Sequence, residues 1–122
     1  MLSDSGRQIV PPSQLVVARA EAYLHTCQNA PIAVSELSRI VGISERNLRR
    51  AFQTVYGTSP KRYMLTERLN AVRRELGDTS NHTAKVTDVA ARYGFSELGR
   101  FAGYYRKVYG ESPSDTLRRT RR

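Results

Sequence analysis

Apolar side chains recur at every third or fourth position through most of the chain, which is the spacing of amphipathic helices. Val34, Leu37 and Val41 share one helix face in this way, and Leu48 and Phe52 share another face a few residues later. No run of alternating apolar and polar residues makes a convincing strand. The pattern therefore predicts an all-α fold with about seven helices.

Two stretches of the chain read alike, one from Val34 to Pro60 and one from Val86 to Pro113. Matching residues lie 52 positions apart in the first part of each stretch and 53 apart afterwards. The second copy therefore carries one extra residue near the start of its second helix. A repeat of this length usually marks a duplicated supersecondary unit. Each copy predicts a helix, a short turn with glycine and a second helix, which is the helix-turn-helix pattern.

Turn and cap residues support this division in both copies. Gly42 follows the first helix of the first copy, where a left-handed conformation is needed. Ser44 is placed to cap the next helix, and Ser96 holds the matching position in the second copy. We therefore expect the second helix of each copy, called the recognition helix below, to begin just after a capping serine.

Both copies end in a serine followed by proline, which puts a capping hydroxyl just before a residue that suits the first helical position. These pairs are Ser59-Pro60 and Ser112-Pro113. A long helix is predicted after the first pair, at 61–76, and at 1.5 Å per residue it would be about 25 Å long. A shorter helix is predicted at 114–119, where Asp115 is placed as a capping-box partner of Ser112.

The chain divides into four predicted segments. Residues 1–13 are a polar linker or leader, and 14–76 form the first helix-turn-helix subdomain with an opening helix at 14–27 and the bridging helix. Residues 77–84 are a loop rich in turn residues, and 85–122 form the second helix-turn-helix subdomain. The predicted architecture is two helix-turn-helix subdomains joined by one long helix.

The charge balance points to a polyanionic partner. Twenty Lys and Arg face eleven Asp and Glu, for a formal net charge of +9, and all but three of the basic residues are arginines. Arginine's planar fork suits bidentate contacts to phosphate and to guanine. Charge alone is also compatible with a merely basic, solvated surface, because it informs about partners and not about fold.

Other function classes have little support in the composition. The single cysteine, Cys27, excludes an internal disulfide and is expected to be a small, buried or half-buried apolar side chain. Its neighbour His25 and the distant His82 lack a carboxylate pair or metal-ligand spacing, so we expect no enzyme activity, metal or cofactor. No apolar run is long enough for a membrane span, and no secretion signal is visible. A cytoplasmic protein without membrane contact is expected.

The second copy carries the most specific motifs of the chain. They are VTDVA from Val86, YGFS from Tyr93, Phe101, Tyr105, and YGESP from Tyr109. In these motifs, and over about 15–118 as a whole, the chain resembles the C-terminal DNA-binding domain of the AraC/XylS transcription regulators. The resemblance implies bacterial transcription regulation through sequence-specific binding to double-stranded promoter or operator DNA. It also implies a small-molecule effector site on a separate N-terminal domain, and RNA polymerase as a further partner.

The recognition helix of the first copy offers a set of side chains for reading bases. With Leu48 placed at zero on a helical wheel, four polar side chains fall between about 100° and 200°, opposite the apolar stripe. They are Arg46, Arg49, Arg50 and Gln53. The resemblance implies that the three arginines occupy positions that contact DNA in relatives. Asn47, beside them, completes the predicted interface of this helix.

The recognition helix of the second copy is poorer in such side chains. Those expected to face DNA are Leu98, Gly99, Arg100, Arg106 and Lys107. We expect Arg100 to contact a base or a phosphate, Arg106 and Lys107 to contact phosphates, and Leu98 either to meet a thymine methyl or to pack in the core. The resemblance implies that Gly103 stands where some relatives carry a DNA-contacting arginine. The first copy should therefore contribute more base specificity, and the second more shape and backbone contact.

Two further expectations concern the geometry of binding. Successive major-groove faces lie about 34 Å apart, which the bridging helix plus the bodies of the units would span. The helix starts after Ser44 and Ser96 should lie near phosphates. The alternative function is a helical module that binds protein or RNA without reading bases. Aromatic side chains would then stack on RNA bases, but their spacing predicts core positions instead. They are Phe52, Tyr56, Phe101, Tyr105 and Tyr109.

Overall fold

The computed structural model describes residues 10–27, 30–78, 80 and 83–120. This part of the chain forms seven α-helices and no strand, which confirms the all-α prediction. The helices are α1 (Ser13–Thr26), α2 (Val34–Val41), α3 (Glu45–Tyr56), α4 (Pro60–Leu76), α5 (Val86–Arg92), α6 (Leu98–Tyr109) and α7 (Pro113–Thr120). The bounds predicted for α1, α4 and α7 differ from these by one residue, so Ser13 begins α1 and is not part of the linker. Most of that linker, and His82, lie outside the described residues.

The helices group into two compact units. Unit 1 holds α1, α2, α3 and the first four residues of α4, and unit 2 holds the rest of α4 with α5, α6, α7 and residues 30 and 31. The whole of α4 was assigned to the first subdomain from the sequence, whereas the boundary between the units falls inside it. The reason lies in its contacts: Tyr63 packs edge-on against Phe52, and Leu69 and Val72 join the core of unit 2.

Three helices supply the core of unit 1. Its fully or nearly buried side chains are Val16, Val17 and Ala20 of α1, Leu37 of α2, and Leu48, Ala51 and Phe52 of α3. Each large one contributes about 1.5–3 kcal/mol by leaving water. Tyrosine hydroxyls tie the helices together: Tyr23 donates to Glu36 at 2.9 Å, and Tyr63 donates to Glu21 at 2.7 Å. The first bond joins α1 to α2, and the second joins α1 to the start of α4.

The core of unit 2 contains more aromatic side chains than the core of unit 1. Its buried side chains are Leu69, Val72, Leu76, Ala84, Val89, Ala90, Phe95, Phe101 and Tyr105. The rings of Phe95 and Phe101 lie 4.8 Å apart, centroid to centroid. The Tyr105 hydroxyl donates to Thr116 Oγ1 at 2.8 Å, which satisfies both buried polar groups and joins α6 to α7.

The core position predicted for Tyr56 is wrong, because its side chain is 44% exposed. Three other apolar residues with helical spacing are also between 42% and 49% exposed: Leu15, Ile40 and Val108. Each lies at the edge of the buried face of its helix, where the spacing rule does not separate core from rim. Tyr56 still stacks on Tyr63 with ring centroids 5.0 Å apart. Cys27 is partly buried, as expected.

The predicted caps at the starts of α4 and α7 are confirmed. Ser59 Oγ accepts the backbone N–H of Arg62 at 3.1 Å. Ser112 and Asp115 form the reciprocal capping box, with each backbone N–H bonded to the other side chain, at 3.2 and 3.0 Å. No helix in the described part of the chain has the length and apolar character needed to cross a membrane.

Candidate nucleic-acid interface

The start of α3 is fixed on both sides of the turn that precedes it. Gly42 ends α2 with a left-handed φ of 86°, and its N–H bonds to the Ser38 carbonyl at 2.8 Å. Ser44 then takes an extended conformation, and its Oγ accepts the backbone N–H of Asn47 at 3.1 Å. The cap predicted at Ser44 is confirmed, and it sets where α3 begins and which way its faces point.

Two opposite faces of α3 differ sharply in burial. Leu48, Ala51 and Phe52 are buried, which anchors one face in unit 1. The opposite face carries exposed side chains that can donate hydrogen bonds: Arg46, Arg49, Arg50 and Gln53. Asn47 is partly buried beside them. The structure therefore brings together on one helix the predicted interface residues of the first copy.

One of these arginines has a carboxylate neighbour on its own helix. Arg49 Nη2 lies 3.6 Å from Glu45 Oε1, one turn earlier, and the two side chains are 58% and 45% exposed. An exposed pair of this kind contributes well under about 1 kcal/mol and is screened by salt. A phosphate or a base edge can therefore replace Glu45 at little cost, and Arg49 remains available for an incoming anion.

An open groove beside α3 contains an arginine that we did not predict. Its lining residues are Val10, Ser38, Arg39, Gly42, Ile43, Ser44 and Asn47. Arg39 is exposed in the last turn of α2, and the groove brings it near the first turn of α3. Arg39 lies on α2 and so outside the recognition helices on which DNA contacts were predicted. The signal in the sequence was an arginine three residues before Gly42, at the end of the first helix of the motif.

The start of α6 differs from the start of α3, and the cap predicted at Ser96 is wrong. Glu97 is the N-cap residue of α6, and no side chain bonds to the free amides there. The extra residue of the second copy is the cause, because it lies between the serine and the first turn of the helix. Ser96 is exposed and sits one position too early to cap α6.

The outward face of α6 has few large side chains. Gly99 and Gly103 are exposed, and a Cβ added at either would meet no atom within 4 Å. Leu98 is 42% exposed, so the reading in which it packs in the core is wrong. Arg100 is 65% exposed and lies 3.6 Å from Glu97. The helix offers a smooth backbone surface with charge at its flanks.

Arg106, in the last turn of α6, lies near the capping box of α7. Arg106 and Lys107 are exposed in the last turn. Hydrogen bonds from the Ser112 backbone and side chain lower the pKa of Asp115, and the positive charges of Arg118 and Arg106 lower it further. Arg106 therefore stands beside a carboxylate that is ionised at neutral pH, which reduces the net positive potential at that point.

Tyr104 is a second exposed residue that the sequence pattern did not single out. It is 39% exposed and lies one turn from Arg100 on one side and from Val108 on the other. The wheel placed Phe101 and Tyr105 in the core, and Tyr104 falls between that stripe and the glycine face. Its hydroxyl and ring widen the surface of α6 on the flank of Arg100.

No group of three or more His, Cys, Asp or Glu residues in the described ranges is arranged to hold a metal ion. Both recognition helices expose hydrogen-bond donors and positive charge, and α6 also exposes its backbone at two glycines. Such surfaces recognise phosphates and base edges.

Comparison with known proteins gives the same picture. A family model described as a helix-turn-helix domain matches residues 37–119. The XylDLEGF operon transcriptional activator of Pseudomonas putida is 33% identical over 120 residues, which cover 98% of this chain and 37% of that protein. The chain spans about a third of the length of such curated relatives, 31% and 37% for two of them.

Solved structures match the fold over most of the chain. A probable AraC family transcriptional regulator from Rhodopseudomonas palustris is 37% identical with a TM-score of 0.78, and the match covers 88% of this chain and 98% of that one. The DNA-binding domain of AdpA, solved in complex with a target DNA, is 27% identical with a TM-score of 0.71, covering 90% and 93%. The chain belongs to the AraC/XylS family of transcription regulators and contains the helix-turn-helix DNA-binding domain of that family.

Proposed function

We propose that the protein regulates transcription by binding double-stranded DNA in a sequence-specific manner, with α3 and α6 in two adjacent major grooves. The observation that carries this proposal is the exposed arginine face of α3, held by a buried apolar face on the other side. The solved complex of the AdpA domain with its target DNA supports the choice of duplex DNA as the partner.

In this proposal α3 reads bases directly. Arg46, Arg49 and Arg50 present guanidinium groups that can each bond to O6 and N7 of guanine, and Gln53 can bond to adenine. A good bidentate pair discriminates against the wrong base by about 1–3 kcal/mol. The cap at Ser44 fixes the first turn of α3, and the amides of that turn are placed to meet a phosphate of the DNA backbone.

The role proposed for α6 is different. Gly99 and Gly103 leave the helix backbone free to approach the floor of a groove. Leu98 is placed to meet a thymine methyl, and Arg100, Arg106 and Lys107 supply phosphate contacts at the flanks. This helix would sense the shape and deformability of DNA more than its base edges. Ser96, although not a cap, remains a candidate for a phosphate contact through its exposed hydroxyl.

Binding to two grooves is supported by the presence of one recognition helix in each unit, α3 in unit 1 and α6 in unit 2. In helix-turn-helix proteins each recognition helix enters a major groove. The whole regulator would work in the cytoplasm, with an effector-sensing domain outside this chain and RNA polymerase as a further partner.

The alternative, a module that binds RNA or protein without base readout, has less support. Phe52, Phe101 and Tyr105 are at most 1% exposed, so their rings are not available for stacking on bases. Tyr56 is exposed, but it is already stacked on Tyr63. Competition separates the two functions: duplex DNA should displace a bound duplex better than single strands or RNA of equal length.

Selection from a randomised duplex library is the direct test. We expect a site with two blocks about one helical turn apart, in which the better-defined block disappears in Arg46 or Arg50 variants. Affinity for the selected site over scrambled DNA should persist across salt concentrations. If no motif emerges and binding only collapses with salt, the protein has electrostatic affinity alone and the proposed function is wrong.

A further inference from the structure

Two arginines of α4 lie over aromatic rings in unit 2, and they differ in one respect. Arg68 lies over Phe95, with its guanidinium carbon 4.7 Å from the ring centroid. Arg73 lies over Tyr109 at 4.4 Å, and its Nη1 is also 3.6 Å from the carboxylate of Glu111. Within the described part of the chain, Arg68 forms no salt bridge. Both arginines have a buried nitrogen that forms no hydrogen bond among the described residues, Nε in Arg68 and Nη1 in Arg73. They differ in that Arg73 has a counter-ion and Arg68 has none there.

The surroundings of Arg68 make the missing counter-ion costly. The side chain is partly buried, and its Nε is shielded from solvent without an acceptor among the described residues. Burial lowers the pKa of the Arg68 guanidinium, although arginine remains charged at every pH that proteins tolerate. A ring face offsets only part of the loss of water around a cation. An oxyanion bound to the free edge of the guanidinium would supply what is lacking.

The position of Arg68 indicates which oxyanion would bind to it. Phe95 follows Gly94 in the turn between α5 and α6, three residues before Leu98 begins the recognition helix. Arg68 Nη1 reaches the same turn, since it would lie 3.4 Å from a Cβ built on Gly94. In helix-turn-helix proteins the N-terminal part of the recognition helix is the part that meets DNA.

We propose that Arg68 is a phosphate-binding residue of the second helix-turn-helix unit, held by Phe95 and facing the DNA backbone at the entry to α6. This inference rests on the proposed function, because its ligand is the duplex that α6 approaches. The planar fork of arginine suits two phosphate oxygens at once. The ring of Phe95 restricts the side chain beforehand, so less conformational freedom is lost on binding.

The test compares Arg68→Met with Arg73→Met. Methionine keeps length and contact with an aromatic ring but removes the charge. Affinity for the selected duplex is measured by fluorescence anisotropy over a range of salt concentrations, and thermal unfolding is measured without DNA. Arg68→Met should weaken binding about tenfold and reduce the slope of log K against log salt by about 1, as expected for one lost phosphate contact. Its melting temperature should stay level or rise.

The matched control should behave in the opposite way. Arg73→Met removes a partner of Glu111, so its melting temperature should fall while the salt slope keeps the wild-type value. Arg68→Lys retains the charge without the planar stack, and it should restore the salt slope but only part of the affinity. Equal slopes for wild type and Arg68→Met would overturn the proposal, and so would equal losses of slope in Arg68→Met and Arg73→Met.

The outcome also separates this inference from the proposed function. If wild type binds duplex DNA without sequence preference, the proposed base readout is wrong, yet the salt slope on random duplex still tests Arg68. If wild type shows sequence preference and Arg68→Met changes only the melting temperature, the proposed function stands and Arg68 has a structural role alone. If wild type binds no duplex, both are wrong.

Discussion

The two units share one plan, yet their recognition helices present different chemistry. In α3 a capping serine precedes a face of arginines and glutamine, whereas α6 starts without a side-chain cap and exposes two glycines at the middle of its outward face. The buried faces are alike, with Leu48 and Phe52 in one unit and Phe101 and Tyr105 in the other. Duplication therefore preserved the packing, while the exposed face of each copy diverged.

The largest expected difference is in base discrimination. Arg50→Ala should cost about 1–3 kcal/mol of preference for the correct base in one block of the site, because it removes a bidentate donor. Arg100→Ala should weaken binding to all sequences about equally, as the loss of a phosphate contact does. Affinities for the selected site and for single-base variants of it measure both effects. Equal losses of discrimination in the two variants would show that base recognition is not concentrated in α3.

The second prediction concerns a variant in which α6 gains an arginine on its outward face, as α3 has. Gly103→Arg introduces a side chain where an added Cβ meets open space, so the fold should tolerate it. Discrimination in the second block should rise by about 1 kcal/mol if the new guanidinium reaches a guanine. Stability should also rise, by up to about 1 kcal/mol, because glycine is a poor helix former. Repeating the library selection with the variant shows whether a guanine appears in that block.

A control for the glycine exchange is Gly103→Ala, which improves helix propensity without adding a donor. It should raise the melting temperature as Gly103→Arg does and leave the selected sequence unchanged. If Gly103→Ala alone sharpens the second block, rigidity and not a base contact is responsible.

The two capping positions provide a smaller contrast. Ser44→Ala should destabilise the protein by about 1 kcal/mol, because the backbone N–H of Asn47 loses its acceptor. Ser96→Ala should be nearly neutral, since Ser96 caps no helix. Urea denaturation of the two variants beside wild type measures the difference. A similar cost for both would contradict the displaced start of α6.

The smallest expected effect is a pH dependence specific to unit 2. Bonds from Arg119 and Thr116 lower the pKa of Glu111, and bonds from Ser112 lower the pKa of Asp115. A lowered folded-state pKa stabilises the fold above the ordinary carboxyl values of 4.5 and 3.8, and the effect is lost as pH falls through the lower values. Unfolding free energy should therefore drop between about pH 5 and pH 2.

The matching control removes both carboxylates. Glu111→Gln with Asp115→Asn should flatten this acid limb and lower stability at neutral pH, where the wild-type groups are ionised. An unchanged acid limb in the double variant would place the titrating groups elsewhere in the chain.

Local signals in the sequence were enough for the helices and for most of their ends. Apolar spacing placed Leu48 and Phe52 in the core, and serine or glycine marked the ends of α2, α3 and α4. The core position predicted for Tyr56 was wrong because helical spacing does not show how far the neighbouring helix covers each face. The cap predicted at Ser96 was wrong because the sequence does not show whether the inserted residue lies before the first turn of α6 or inside it.

Features that depend on three-dimensional neighbours could not be predicted. The stacking of Arg68 on Phe95 joins α4 to a turn 27 residues later in the chain. The groove that brings Arg39 to the start of α3 likewise depends on how α2 packs. The predicted DNA contacts of α3 and α6 stay predictions, and the variants above test them.

The boundary between the units lies between Tyr63 and Met64, inside α4, and this has a consequence for exchange of parts between regulators. A chimaera of unit 1 from one protein and unit 2 from another must be spliced within a helix and not in a loop. The backbone hydrogen bonds of α4 run across such a junction, so the spliced segment must itself be helical. Glycine or proline at the junction would therefore destabilise the chimaera even when the core of each unit is intact.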